Sequence, residues 1–247
     1  MGRITDTVKV LLIINVIFFA GTMFIGDYTY KLFSLWYFEN ENFGVWQIVT
    51  HMFMHGGFMH ILFNMYALWA FGSPIEQMLG QKKFIFFYFS CGIGAALLHT
   101  LVNYYQVQSG YNALLEAGMD PNGIRTLLET GQYSTSILDS ISKSSLENIF
   151  AAFNTPAVGA SGAIYGILVA FAMLFPNVEL FLIFVPVPIK AKIFIPVLIG
   201  LDLFSGVTGY SLFGGGIAHF AHVGGALFGF IMMWYWKKNQ FNQNRWD

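Results

Sequence analysis

A serine set among small residues in GASGAIYG (159–166) and a histidine in AHVGGALFG (221–229) carry the clearest chemistry in this chain. A serine hydroxyl attacks a carbonyl only when a base removes its proton, and the His222 imidazole can be that base for Ser161. The tetrahedral intermediate then needs preorganised donors around its oxyanion. The segment HMFMHGGFMHILFN (51–64) holds suitable groups in His60 and Asn64, four residues apart and therefore on one helix face. The Ser161 backbone N–H, at the start of a helix, is a third donor. Other readings compete. Histidines are common metal ligands, but the chain has no HExxH and no carboxylate near them in sequence. His51, His55 and His219 taken singly fit a structural role, tying helices together in an apolar medium. An isolated GxSG is more often a packing device, and the soluble GxSxG elbow needs a preceding strand that is not expected here. Asp202 is the one acid within the predicted spans. Nothing in the sequence sets it against His222, so the reading is a Ser161/His222 dyad with Asp202 structural or cavity-facing.

Those residues have to be positioned by helices in lipid. Of 247 residues, 56% are hydrophobic and 10% charged, against about 25% charged in soluble domains; mean hydropathy is +0.59. A net charge of −1 without a basic block gives no reason to expect a nucleic-acid partner. One cysteine, Cys91, excludes an internal disulfide framework and a cysteine-based zinc site. The fold class is an all-α polytopic membrane protein, with the lipid bilayer as its medium. Six apolar stretches, at about 10–25, 53–71, 84–102, 157–175, 193–204 and 217–236, are predicted to span. The apolar run Leu180 to Pro188 is short and carries Pro186 and Pro188, which predicts an interfacial connection.

Nine of the twelve basic residues (Arg3, Lys9, Lys82, Lys83, Lys190, Lys192, Lys237, Lys238 and Arg245) fall on one side of a six-span arrangement. The positive-inside rule puts that side, and both termini, in the cytoplasm. Residues 104–155 then form an acidic extracytoplasmic insertion between spans three and four, too long for a simple connection and predicted to hold helices of its own. Asp120-Pro121 reads as one helix start and Ser144 to Glu147 as a capping box for another. The first span lacks a signal-peptide cleavage site, and the N-terminal residues lack an Arg/Ser-rich transit pattern, which favours a bacterial plasma membrane.

Ser161, His222 and the His60/Asn64 pair all fall at the outer third of their predicted spans. With that coincidence the chain resembles a rhomboid intramembrane serine protease. His51 to Asn64 is similar to the family's second-helix pattern, GASGAIYG to its GxSG nucleophile motif, and AHVGGALFG to the helix bearing its histidine. The resemblance runs from Trp46 to about Trp236. It implies a bundle of six transmembrane helices around a water-filled cavity, with Ser161 as nucleophile and His222 as general base and acid. It also implies an oxyanion hole of His60, Asn64 and the Ser161 N–H. Tyr165 would pack on the imidazole; Gly159, Gly162 and Gly225 would let helices approach; His55 would support the site. The implied substrates are single-span membrane proteins, and no cofactor is implied. Two departures stand out. Trp46-Gln47 replaces the Trp-Arg of many members, and the insertion is longer than the family's compact core, which predicts a role in substrate access. The Pro196-containing fifth span and the following GVTGYSLFGGG are the expected gate and cap. A non-catalytic adaptor that holds substrate spans is the runner-up. A small transporter lacks the paired repeats it would need.

Overall fold

Ser161 opens the helix around which the others gather. The structure, a computed structural model, describes residues 3–182, 185–210 and 218–241. Helix α9 (Ser161–Leu174) buries residues on every side, from Gly162 and Ala163 through Phe171. A helix apolar all round belongs in an interior, and its small residues decide how closely neighbours come. Against it lies α11 (His219–Trp236). A Cβ on Gly225 would stand 1.8 Å from the Gly162 carbonyl oxygen, and one on Gly229 2.6 Å from Gly166 Cα. The two helices therefore cross backbone on backbone. Helix α6 (Gln81–Glu116) closes the third side, with Cys91 and Ala95 filling the places that side chains at Gly166 and Gly162 would take.

Three described helices are long and apolar enough to cross a membrane: α1 (Asp6–Ile25), α6 and α10 (Ala191–Thr208). Helices α2 (Asp27–Phe33) and α3 (Gln47–Thr50) flank the loop that follows α1. Gln47 is fully buried and knots that loop. Its Nε2 donates to the carbonyls of Asn42 at 2.7 Å and of Lys31 and Leu32 at 3.2 Å, while its Oε1 accepts from Trp36 N–H at 3.3 Å. A neutral amide therefore stitches this loop together.

Helix α4 (Phe58–Ala67) continues through a π-helical turn, Leu68–Gly72, into α5 (Ser73–Leu79). From α5, Glu76 caps α1. Its carboxylate accepts from the N–H groups of Thr7 at 3.1 Å and Val8 at 3.0 Å and from the Thr5 hydroxyl. These are N–H groups that a helix start cannot satisfy internally, and a negative charge there is favourable.

Several expected boundaries move. Helix α6 runs 36 residues, well past the predicted end of the third span, so the first residues of the predicted insertion, 104–116, continue that helix. Asp120 caps α7 (Pro121–Thr130) as read, accepting from Asn122 N–H at 2.9 Å and Gly123 N–H at 3.2 Å. The capping box is two residues off. Helix α8 (Lys143–Asn154) is capped by Ser142, whose Oγ accepts from Ser145 N–H at 3.2 Å. Ile124, Leu127, Leu146 and Ile149 from these helices form a second core with Val107 and Leu114 of α6 and Tyr37 of the first loop. Asn40 pins that loop to α8, donating to the Phe153 carbonyl at 3.1 Å.

The all-α expectation is corrected at one place. Residues on the predicted interfacial connection form an antiparallel pair, β1 (Glu179–Leu182) and β2 (Val185–Lys190). Alternating Val and Pro in β2 favour it: two prolines two residues apart remove backbone donors and hold the residues before them extended, which a strand at an edge tolerates. Of the expected gate and cap, α10 and residues to 210 are described. Residues 211–216 of the predicted cap, Ile217 at the predicted start of the sixth span, and Arg245 lie outside the described residues.

Candidate active site

The helices carrying Ser161 and His222 cross at glycines, and this brings their first turns together. Ser161 Oγ lies 2.8 Å from His222 Nε2, within hydrogen-bond distance. The Tyr165 ring, one turn along α9, stacks on the imidazole with centroids 4.2 Å apart and planes 12° from parallel. A side chain held between a stacked ring and a hydrogen bond has few rotamers left to it. The segment before Ser161 is held from both sides. Leu35 and Ala157 exchange backbone hydrogen bonds at 2.9 and 2.8 Å, and Gly159 N–H donates to the His51 carbonyl at 2.9 Å. The His51 ring faces inward, its Nδ1 2.8 Å from the Gln47 carbonyl.

Gly159 has φ +125°, a conformation that L side chains rarely adopt. A Cβ there would stand 2.8 Å from His60 Nε2 and 3.4 Å from Ser161 Oγ. The space kept open by this glycine is therefore bounded by a ring nitrogen on one side and the serine hydroxyl on the other. His60 Nδ1 accepts from Gly56 N–H at 3.4 Å, which leaves Nε2 to carry the hydrogen and face that space. The Asn64 side chain is buried in α4, and its Nδ2 makes no hydrogen bond among the described residues. Buried amide donors are ordinarily paired, so Asn64 has donor capacity to spare. The Ser161 N–H belongs to the first turn of α9, where N–H groups have no partner within the helix. His60 Nε2 and the Ser161 N–H thus border the space beside the Ser161 hydroxyl, and Asn64 follows His60 by four residues on the same helix.

His55 stands under this group, fully buried, with its ring 5.0 Å from that of His60 and edge-on to it. Gly162 and Gly225 act at the helix crossing and touch no reacting group. The sequence reading leaves Asp202 apart from His222, and here the structure differs. Asp202 Oδ1 is 3.2 Å from His222 Nδ1 and 2.6 Å from His219 Nδ1, and the Tyr165 hydroxyl donates to Oδ2. The signal available in the sequence is its solitude: an ionisable residue inside an apolar segment marks a functional site by default. His99, which the motifs do not reach, sits in α6 with its Nε2 3.2 Å from Asn103 Nδ2. Among the described residues, no three His, Cys, Asp or Glu side chains gather as a metal ion needs.

Comparison with known proteins gives a consistent picture. The family model described as Rhomboid domain matches residues 42–118 and 132–239; the interval between them, 119–131, contains α7. The chain is 29% identical over 184 residues to the mitochondrial presenilin-associated rhomboid-like protein of Bos taurus, covering 74% of this chain and 35% of that protein. It is 26% identical over 191 residues to mitochondrial Rhomboid protein 1 of Saccharomyces cerevisiae, covering 77% of this chain and 42% of that one. Rhomboid protease GlpG of Salmonella choleraesuis is 38% identical over 77 residues, 31% of this chain and 28% of that protein. The chain thus spans well under half the length of these mitochondrial relatives. Since the family match runs through both the serine and the histidine segments, this chain belongs to the rhomboid family.

Proposed function

We propose that this protein is an intramembrane serine endopeptidase that cuts transmembrane segments of membrane proteins, with Ser161 as nucleophile and His222 as its base. The observation that carries the reading is the 2.8 Å contact between Ser161 Oγ and His222 Nε2. Ser161 gives its proton to His222 Nε2 as Oγ bonds to the scissile carbonyl carbon, and the carbonyl electron pair moves onto oxygen. His60 Nε2, Asn64 Nδ2 and the Ser161 N–H receive that charge. His222 then returns the proton to the departing amine, leaving an acyl-enzyme. A water deprotonated by the same imidazole releases the second product.

Depth is part of the proposal. We read six spans, with both termini on the cytoplasmic side and residues 104–155 outside. Helix α9 has 14 residues, about 21 Å at the α-helical rise, against a hydrocarbon core of about 30 Å. A helix that short, started from the cytoplasmic side, ends below the outer surface. Ser161 would then lie within the membrane and need a water-filled cavity to reach it, such as the one the family resemblance implies. Polar side chains and irregular backbone at that depth are tolerated only where protein or water surrounds them. The substrate helix enters sideways past α10 and unwinds, because helical peptide bonds are shielded.

The test is cleavage of a single-span substrate in liposomes, with the product ends mapped by mass spectrometry. Cuts within or beside the span that disappear in Ser161→Ala are expected; intact substrate, bound but uncut, would mean an adaptor. Replacing Asn64 by Ala is expected to lower kcat about 10²-fold, the low end for one oxyanion donor, because His60 and the backbone N–H share the charge. An unchanged kcat would remove Asn64 from the oxyanion site. The insertion is assigned to substrate access. Exchanging the exposed face of α7 is expected to leave Ser161 reactivity intact while changing the relative rates of different substrates, and unchanged ratios would contradict that role.

A further inference from the structure

The imidazole of His222 is gripped at both nitrogens. Nε2 lies 2.8 Å from Ser161 Oγ, and Nδ1 lies 3.2 Å from Oδ1 of the Asp202 carboxylate on α10. Asp202 is 7% exposed. A buried charge without partners is costly; here donors come from α9 and α11, namely the Tyr165 hydroxyl, His219 Nδ1–H and His222 Nδ1–H. Satisfying the carboxylate could by itself explain His219, which makes the shorter contact at 2.6 Å. It does not explain why the imidazole beside the serine presents its far nitrogen to the same oxygen.

That arrangement has a chemical consequence. A neutral imidazole carries one hydrogen, and Nε2 can accept the serine proton only if that hydrogen sits on Nδ1. An ionised carboxylate accepts and never donates, so contact with Oδ1 selects the Nδ1–H form. When the serine proton arrives at Nε2, the ring becomes an imidazolium beside an anion already in place. His219 and Tyr165 hold the carboxylate by its two oxygens, and the stacked Tyr165 ring holds the imidazole plane. The geometry points to Asp202 as the positioning residue of a Ser161–His222–Asp202 relay, set by His219 and Tyr165. This inference rests on the protease reading given above. Asp202 neither gains nor loses a proton in it: the proton moves from Ser161 Oγ to His222 Nε2, and the carboxylate fixes the tautomer and offsets the new charge.

The test combines kinetics with histidine nitrogen spectroscopy on the full chain in detergent. In wild type labelled with ¹⁵N-histidine, the resonances lost in His222→Ala are expected to show a protonated Nδ1 and a bare Nε2. In Asp202→Asn the side-chain amide can donate to Nδ1, which favours the opposite tautomer. There kcat is expected to fall about 10²- to 10⁴-fold with KM little changed, and fluorophosphonate labelling of Ser161 should slow in parallel. A carboxylate that only stabilised the helices would lower the melting temperature and leave kcat of the folded fraction and the tautomer alone. The inference is overturned if kcat of Asp202→Asn stays within about threefold of wild type, or if wild-type His222 carries its hydrogen on Nε2. Should Asp202→Asn not fold, the wild-type spectrum decides. If wild type neither cleaves nor labels, the protease reading fails separately, and the spectrum still reports whether Asp202 holds His222.

Discussion

Ser161→Ala is expected to lose about 10⁶-fold in turnover, and His222→Ala a similar amount, with no further loss when the two are combined. In the proposed reaction nucleophile and base act as a unit, so removing either removes the step they share. In Ser161→Ala no oxygen remains for the imidazole to deprotonate. In His222→Ala the hydroxyl remains, but its proton has nowhere to go at neutral pH. What survives comes from binding and from donors around His60 and Asn64. Neither substitution should unfold the protein, since the α9–α11 crossing is made at Gly162, Gly166, Gly225 and Gly229 and not at these side chains. Cleavage rates measured in liposomes for the two singles and the double, at matched folded fractions, check this. Losses that multiplied in the double variant would mean two independent contributions and contradict a joint role.

Gly225→Ala is expected to be the most damaging substitution that touches no reacting atom. Its Cβ would fall 1.8 Å from the Gly162 carbonyl oxygen and 2.6 Å from the carbonyl carbon. Both are backbone atoms in a buried helix, and no rotamer change relieves the overlap. The helices have to part by roughly 1.5 Å to restore ordinary contact, and overpacking of that kind costs about 1–3 kcal/mol or more. Since Ser161 and His222 ride on these helices, their 2.8 Å contact opens as well. A misplacement of about 1 Å can cost 10²-fold, so a loss of at least that size is expected together with a lower melting temperature. Gly21→Ala is the control: a Cβ there meets nothing within 4 Å, and its activity and melting temperature should match wild type. Wild-type values for Gly225→Ala would show that the close crossing is not required.

These effects also show what a sequence can disclose. Ser161, His222, His60 and Asn64 were legible because helical spacing and apolar surroundings make polar residues conspicuous, and because spans of similar depth bring distant residues level. Asp202 was conspicuous too, but its partner was not. Which face of α10 meets α11 depends on the rotation of each helix, and nothing local in IGLDLFSG encodes that. Gln47 was hidden for a related reason, since its bonds go to carbonyls that any sequence supplies. The extent of α6 was misjudged because hydropathy marks where lipid ends, whereas YYQVQSGYNALLE (104–116) keeps helix-forming residues beyond that point. The strands at residues 179–190 were not read, because the prolines of that short apolar run were taken as marking a connection, whereas alternating with Val they suit extended backbone.

The measurement that bears most directly on the central claim is reaction of the purified full chain with a reporter fluorophosphonate, followed by mass-spectrometric mapping of the modified residue. The expected result is a single adduct on Ser161, absent from His222→Ala although its serine is intact. No adduct on correctly folded protein, an adduct elsewhere, or equal labelling of Ser161 in His222→Ala would contradict a serine activated by that histidine.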